Sequence, residues 1–341
     1  MSEPTPNRRP RVALLIPTNR QADVLTAEAF AHLRRVVDLR EVDADTNRLA
    51  EHLPSLLDDA DACLTGWGTP PLTEAVLANA KQLRLIAHTA GSVKRLVPAS
   101  VFERGIAVAH AANVIADAVG EFTILVMLLG LRRVHDMDRE LKAGVAWREA
   151  ARSSEPRQLA ARTVGLVGMG YVGRKVARLV RAFGARVIAY DPYLPGEDAR
   201  SLGVEAVSLD QLFREAEVVS VHAPSTPETR RMIGRREFDL LRDRAIFVNC
   251  ARSWVVDQDA LLATLRTGRI WAALDVFDEE PLPLDSPFRT LENAFITPHH
   301  AGHTVDTYHR QGQAMVDEIE RFFSGGELRY RISPGTFELM A

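Results

Sequence analysis

Cysteine is almost absent from this sequence. The 341-residue chain has two, Cys63 and Cys250, far apart, which excludes a disulfide framework and a zinc site of closely spaced thiolates. A dominant charge is lacking too. A net charge of -3 gives no footing for nucleic acid or an anionic membrane surface as a general partner. No apolar run approaches the roughly 20 residues of a membrane span. The run Val12–Pro17, after a polar, proline-bearing start, is too short for the core of a secretory signal. Short-period repeats and low-complexity tracts are missing as well. What remains is a chain that is 46% hydrophobic and 26% charged, the balance of a folded globular protein. It is long enough for two domains, and a cytoplasmic location is the default expectation.

Short apolar runs alternate with helical stretches in the first third. Arg11–Pro17, Asp61–Trp67, Leu83–Ala90 and Ala107–Ala111 read as buried strands, and Leu72–Ala80 as a helix with Thr73 as its N-cap. A long apolar helix is expected over Ala116–Val134, packed at a domain or subunit interface. From Thr163 the alternation restarts with six more apolar runs, TVGLVG, RVIAYD, VVSVHA, AIFVNCA, WAALDV and AFITPH. Strands alternating with helices imply parallel sheets. The fold class is therefore α/β, two parallel-sheet domains in series, with a helical pattern over Val305–Phe323 returning to the first. The boundaries drawn are 1–112 with 305–341, and 113–304.

Thr163–Pro192 carries a G-x-G-x-x-G spacing at Gly168, Gly170 and Gly173. The spacing alone is weak, but its context agrees. A strand precedes it. A helix with Val176, Leu179, Val180 and Phe183 on one face follows. A second strand ends at Asp191, about twenty residues on. Gly168 suits the tight turn, Gly170 the approach of a pyrophosphate and Gly173 close helix–sheet packing, while the helix N-terminus offers N–H groups to phosphate. Tyr171 and Val172, which open that helix, are counted with the three glycines as cofactor-binding residues. Asp191 is placed to accept hydrogen bonds from ribose hydroxyls. A 2′-phosphate beside it would meet repulsion of roughly 4 kcal/mol for unit charges 4 Å apart at an effective dielectric near 20, so NAD is favoured over NADP.

Three further stretches, Val248–Leu261, Ala273–Pro283 and Ile296–Thr304, each begin at the C-terminal end of an expected strand, the edge where ligands bind in such sheets. With these in view the sequence resembles the D-isomer specific 2-hydroxyacid dehydrogenases over nearly its whole length. The resemblance is carried by the glycine motif with Asp191, by VHAPSTPETR (Val221–Arg230), by NCAR ending in Arg252, by DVFDEEP with Glu280 and by TPH with His299. It implies a flavodoxin-like substrate domain and a Rossmann-like domain holding NAD. The implied reaction is reversible reduction of a 2-keto acid to a D-2-hydroxy acid, in a homodimer. It makes Arg252 the carboxylate anchor and His299, paired with Glu280, the acid–base. It puts His222, Pro224, Thr229, Cys250, Ala251 and Asp275 along the cofactor, and Gly91, Ser92 and Lys94 at the substrate. Asn113 and Glu121 echo the family's interdomain helix and read as structural.

The chemistry supports the assignment independently. Hydride transfer to a ketone leaves an alkoxide that needs a proton, which a histidine supplies near neutral pH. A carboxylate beside it would hold the ring, and an arginine binds a carboxylate through two parallel hydrogen bonds. Of three histidines in ITPHHAGHT, His299 is the candidate and His300 and His303 are bystanders. A metal site from all three is rejected, because adjacent strand residues point to opposite sides. Trp67 reads equally as pocket wall or core. Two departures bear on the substrate: Lys94 stands where the family has an aspartate, and Ser253 and Trp254 follow Arg252 where a glycine is usual. The lysine suggests a substrate with a second anionic group. The rival readings are a dinucleotide-sensing co-repressor and a formate dehydrogenase-like enzyme.

Overall fold

A computed structural model describes residues 8–151 and 155–340. The chain divides into two compact units, one running to Ile115 and resuming at His303, the other Ala116–Gly302. The first holds β1 (Arg11–Leu14), β2 (Asp38–Arg40), β3 (Ala62–Thr65), β4 (Leu85–His88) and β5 (Ala107–His110), all parallel, in the order β2-β1-β3-β4-β5. The second holds β6 (Thr163–Val167), β7 (Arg186–Tyr190), β8 (Glu205–Ala206), β9 (Val218–Val221), β10 (Ile246–Asn249), β11 (Trp271–Leu274) and β12 (Ala294–Ile296), in the order β12-β11-β10-β9-β6-β7-β8. These too are parallel. The two orders are flavodoxin-like and Rossmann-like. In the second, the chain reverses direction between β6 and β9, which opens a crevice at their C-terminal ends.

Strands buried on both faces explain the near-continuous apolar runs. In the first unit Ala13, Leu15, Cys63, Ile86 and Val108 pack into one core, and their alternating neighbours Val12, Leu14, Leu64, Leu85 and Ala87 into another on the opposite face. The helix Val305–Phe323 closes that second core with Met315, Val316 and Ile319. Gly312 lets it lie against the Val24 carbonyl, which a Cβ would approach to 1.7 Å.

Several local expectations change. β2 and β8 were not legible as strands. The long helix runs Ala112–Arg132, and by length and composition it could cross a membrane, contrary to the sequence reading. Its buried face includes Val119, Thr123 and Met127, and Gly130 sits so close to Trp271 that a Cβ would lie 2.5 Å from the ring. Phe183, assigned to the packed face of its helix, is 45% exposed. It is the C-cap, where the helical spacing ends. Both cysteines are free and buried, and burial pushes both thiols well above their ordinary titration range.

Three histidines are held neutral by burial. It lowers His88 and His222 to about 3 and also lowers His110. An unfolded chain takes up protons on these rings below about pH 6.5, whereas the folded chain takes them up only at lower pH, near 3 for His88 and His222. Their contribution is thus complete above about pH 6.5 and declines as pH falls, by up to about 1.4 kcal/mol per pH unit for each ring. The urea midpoint of the cofactor-free protein should drop between pH 7 and pH 5. A midpoint constant or rising over that range would contradict neutral burial.

Candidate active site

The second sheet delivers its functional side chains from a single edge. The loops after β6, β7, β9, β10, β11 and β12 all leave from C-terminal ends, and each carries residues singled out in the sequence.

At the switch point the glycines divide their tasks. Gly168 has φ +98°, and a Cβ there would meet the Ala223 nitrogen at 2.6 Å. A Cβ on Gly173 would lie 2.1 Å from the Gly168 carbonyl oxygen, so the helix is seated on the loop itself. Around Gly170, by contrast, there is nothing within 4 Å of where a Cβ would stand. Gly170 is also the N-cap of the helix Tyr171–Ala182, without a side-chain cap. The first helical amides therefore face a space that a phosphate can enter. Tyr171 is exposed and Val172 half-buried.

Asp191 braces this loop. One carboxylate oxygen accepts from the Met169 amide at 2.7 Å and the other from the Tyr193 amide at 2.8 Å. Each oxygen keeps a further lone pair for a sugar hydroxyl. His222, after β9, is half-buried as a residue, yet both its ring nitrogens are sealed from solvent and find no partner among the described residues. A buried polar atom without a partner calls for one. The open Gly170 cradle and these nitrogens fit a dinucleotide. Thr229 turns inward instead: its hydroxyl accepts from the Thr226 amide and donates to the Pro224 carbonyl, closing the turn after β9.

After β10, buried Asn249 shapes the arginine turn, accepting from the Ala251 amide at 3.1 Å and donating to the Arg252 carbonyl at 3.0 Å. Cys250 is buried beside it. The Arg252 guanidinium donates to the Ala251 carbonyl at 2.7 Å, and the Arg230 guanidinium lies over the Trp254 ring. Asn249 was missed in the sequence, where it read only as part of a motif.

The loops after β11 and β12 bring the proposed acid–base together. His299 Nδ1 lies 2.8 Å from Glu280 Oε2, and Glu280 Oε1 accepts from the Phe277 amide at 3.0 Å. His299 adopts φ +54°, a left-handed conformation that costs a non-glycine residue about 1–2 kcal/mol. It is held there from below. Asp275, 1% exposed, accepts from the Thr297 hydroxyl and from the amides of His300 and Ala301, while its carbonyl takes the His299 amide. Asp275, expected along the cofactor, thus uses its carboxylate to fix the histidine loop. Glu280, His299, Phe277, Leu282, Ile296 and Pro298 border an open cavity of about 610 Å³.

The other histidines have separate surroundings. His300 is exposed. His303 belongs to the first unit and packs with Trp67 and Tyr308, ring centroids 5.9 and 5.5 Å away. Lys94 also departs from its expected place: its ammonium donates to the Glu338 carbonyl at 3.2 Å and lies 4.8 Å from the centre of the Phe337 ring. Asn113 and Glu121 are both exposed.

Comparison with known proteins decides the family. The sequence model for the NAD binding domain of D-isomer specific 2-hydroxyacid dehydrogenases matches residues 124–301. The chain belongs to this family. It is 35% identical to a D-3-phosphoglycerate dehydrogenase of Methanocaldococcus jannaschii over 290 residues, 84% of this chain but 54% of that one. It thus spans about half of that longer relative. A glyoxylate reductase of Korarchaeum cryptofilum is 35% identical over 271 residues, covering 78% of this chain and 81% of that one. Among solved structures, a phosphoglycerate oxidoreductase from Rhizobium etli superposes with a TM-score of 0.80 at 30% identity, covering 95% and 99% of the two chains. The second unit is accordingly an NAD-binding domain, and the sheet orders above are those of a 2-hydroxyacid dehydrogenase.

The glycine geometry generates a contrast. Gly173→Ala should destabilise the protein by about 1–3 kcal/mol, as overpacking does, because the new methyl meets fixed backbone. Gly170→Ala meets open space, so it should lower the urea midpoint less than Gly173→Ala does, and it should weaken NADH binding. A Gly173→Ala protein as stable as the parent would refute the packing argument.

Proposed function

We propose that this protein interconverts a 2-keto acid and a D-2-hydroxy acid, with His299 as the acid–base and Arg252 as the carboxylate anchor. The observation that carries the reading is the 2.8 Å pair of His299 and Glu280, on an NAD-binding domain and at the edge where the nicotinamide ends of such cofactors lie.

Bound NADH supplies the hydride. The residues of this chain do the rest. Arg252 takes the substrate carboxylate through its forked N–H groups and so aims the adjacent keto carbon. Glu280 accepts from Nδ1–H of His299, which leaves Nε2 as the nitrogen that exchanges a proton with the substrate. In reduction, Nε2–H hands its proton to the oxygen of the developing alkoxide. In oxidation, the same nitrogen removes the hydroxyl proton. The proposed substrate residues also include Gly91 and Ser92, whose backbone N–H groups suit an anion. The reading includes a homodimer, as the family resemblance implies. A second anionic group on the substrate stays within the reading, with Lys94, which bonds the Glu338 carbonyl, as its candidate partner. The relatives' names, a phosphoglycerate dehydrogenase and a glyoxylate reductase, set the range of 2-keto acids to try first.

The test is NADH oxidation with glyoxylate, pyruvate, longer alkyl 2-keto acids and 3-phosphohydroxypyruvate. At least one should be turned over. With that substrate His299→Ala should lose on the order of 10²–10⁴ in kcat with NADH binding retained, while His300→Ala and His303→Ala stay close to the parent. Full activity in His299→Ala would overturn the mechanism.

A further inference from the structure

The first unit carries a buried histidine pair that the reaction does not use directly. His88 ends β4 and His110 ends β5, and the two are register partners in the parallel ladder. Thr65, the last residue of β3, pairs with His88 in the same way. Paired residues of adjacent parallel strands project to the same face. Thr65, His88 and His110 therefore form a polar row along one sheet edge, exposed by 0%, 5% and 3%. A polar row this deeply buried is costly unless it has hydrogen-bond work to do.

That work is on the Gly91–Ser92 loop. His110 Nδ1 lies 2.6 Å from the Gly91 carbonyl oxygen, and a carbonyl can only accept, so the ring donates. His88 Nδ1 meets the Thr65 hydroxyl at 3.0 Å. The His88 ring also hydrogen-bonds to the Ser92 backbone in the sense that favours a protonated ring; with Nδ1 at Thr65, Nε2 donating to the Ser92 carbonyl satisfies that sense. The preceding carbonyl, Ala90, is held by the Ala111 amide at 3.0 Å. Three consecutive carbonyls are thus drawn toward the ends of β4 and β5. In a planar trans peptide the N–H points opposite to its C=O, so the N–H groups of Gly91, Ser92 and Val93 are turned the other way. Successive N–H groups on one side of a turn form a concavity that suits an anion.

We propose that His88 and His110 are positioning residues for substrate binding: by holding the Ser92 and Gly91 carbonyls they set the Ser92 and Val93 N–H groups as a cradle for the substrate carboxylate. The inference rests on the reading that this loop serves the substrate. Neutral rings suit the role, because each needs one N–H donor and no charge.

Amide swaps test it without removing a polar group. Asparagine places its amide nitrogen where Nδ1 of histidine stands, and glutamine reaches to the place of Nε2. His110→Asn and His88→Gln should therefore keep their loop bonds, whereas His110→Gln and His88→Asn should lose them. For the 2-keto acid with the best turnover, the first two variants should keep KM within about threefold. The second two should raise KM about tenfold or more, with kcat and the NADH Kd within about threefold of the parent. Arg252→Met serves as the control for substrate anchoring. KM raised in Arg252→Met but unchanged in His110→Gln and His88→Asn overturns the inference and leaves the functional reading standing. KM unchanged in all of them overturns both. An equal rise in both amides at either position shows that the rings only fill space, and also overturns the inference.

Discussion

The buried carboxylate of Asp275 is the contact on which the site depends. It sits at the end of β11 and gathers three donors from the next loop: the Thr297 hydroxyl and the amides of His300 and Ala301. Charge-assisted bonds of this kind are among the stronger ones in proteins, and a buried donor deprived of its acceptor costs about 1–3 kcal/mol. That is enough to hold His299 in a left-handed conformation it would not choose by itself. With the backbone fixed, the ring has one orientation in which Nδ1 meets Glu280, and Nε2 is the nitrogen left to work. Glu280 is fixed in turn by the Phe277 amide. Two carboxylates, one under the loop and one beside the ring, therefore direct the ring of His299, the proposed proton donor.

The parallel sheet places this device at the ligand-binding edge without further machinery. Six loops leave one edge, and the order β12-β11-β10-β9-β6-β7-β8 sets the loops of Glu280 and His299 on one side of the switch point and Asp191 on the other. The first unit uses the same geometry differently. Its strand ends carry Thr65, His88 and His110, which act on backbone carbonyls rather than on a substrate.

Much of this was legible in the sequence because parallel strands are buried on both faces and so read as apolar runs. Ten of the strands announced themselves that way. β2 (Asp38–Arg40) and β8 (Glu205–Ala206) did not, since each lies at a sheet edge, is two or three residues long and carries polar residues. The glycine spacing, Asp191, Arg252, Glu280 and His299 were visible because each stands at a strand end in a fixed local pattern. What no local pattern contains is the partner of a side chain. The donors of Asp275 come from 22–26 residues downstream, and Lys94 finds Glu338 at a separation of 244 residues. The histidine pair was invisible for the same reason: its meaning lies in the register of β4 with β5.

The central claim is that buried Asp275 sets the position of the proton donor, and Asp275→Asn tests it most directly. The substitution keeps size and one acceptor oxygen but turns an amide toward the loop's own N–H groups. With the best 2-keto acid, kcat should fall by on the order of 10²-fold, as misplacement of a catalytic group by about 1 Å does, while the protein stays folded and binds NADH with little change. An Asp275→Asn enzyme with the parent's kcat would contradict the account.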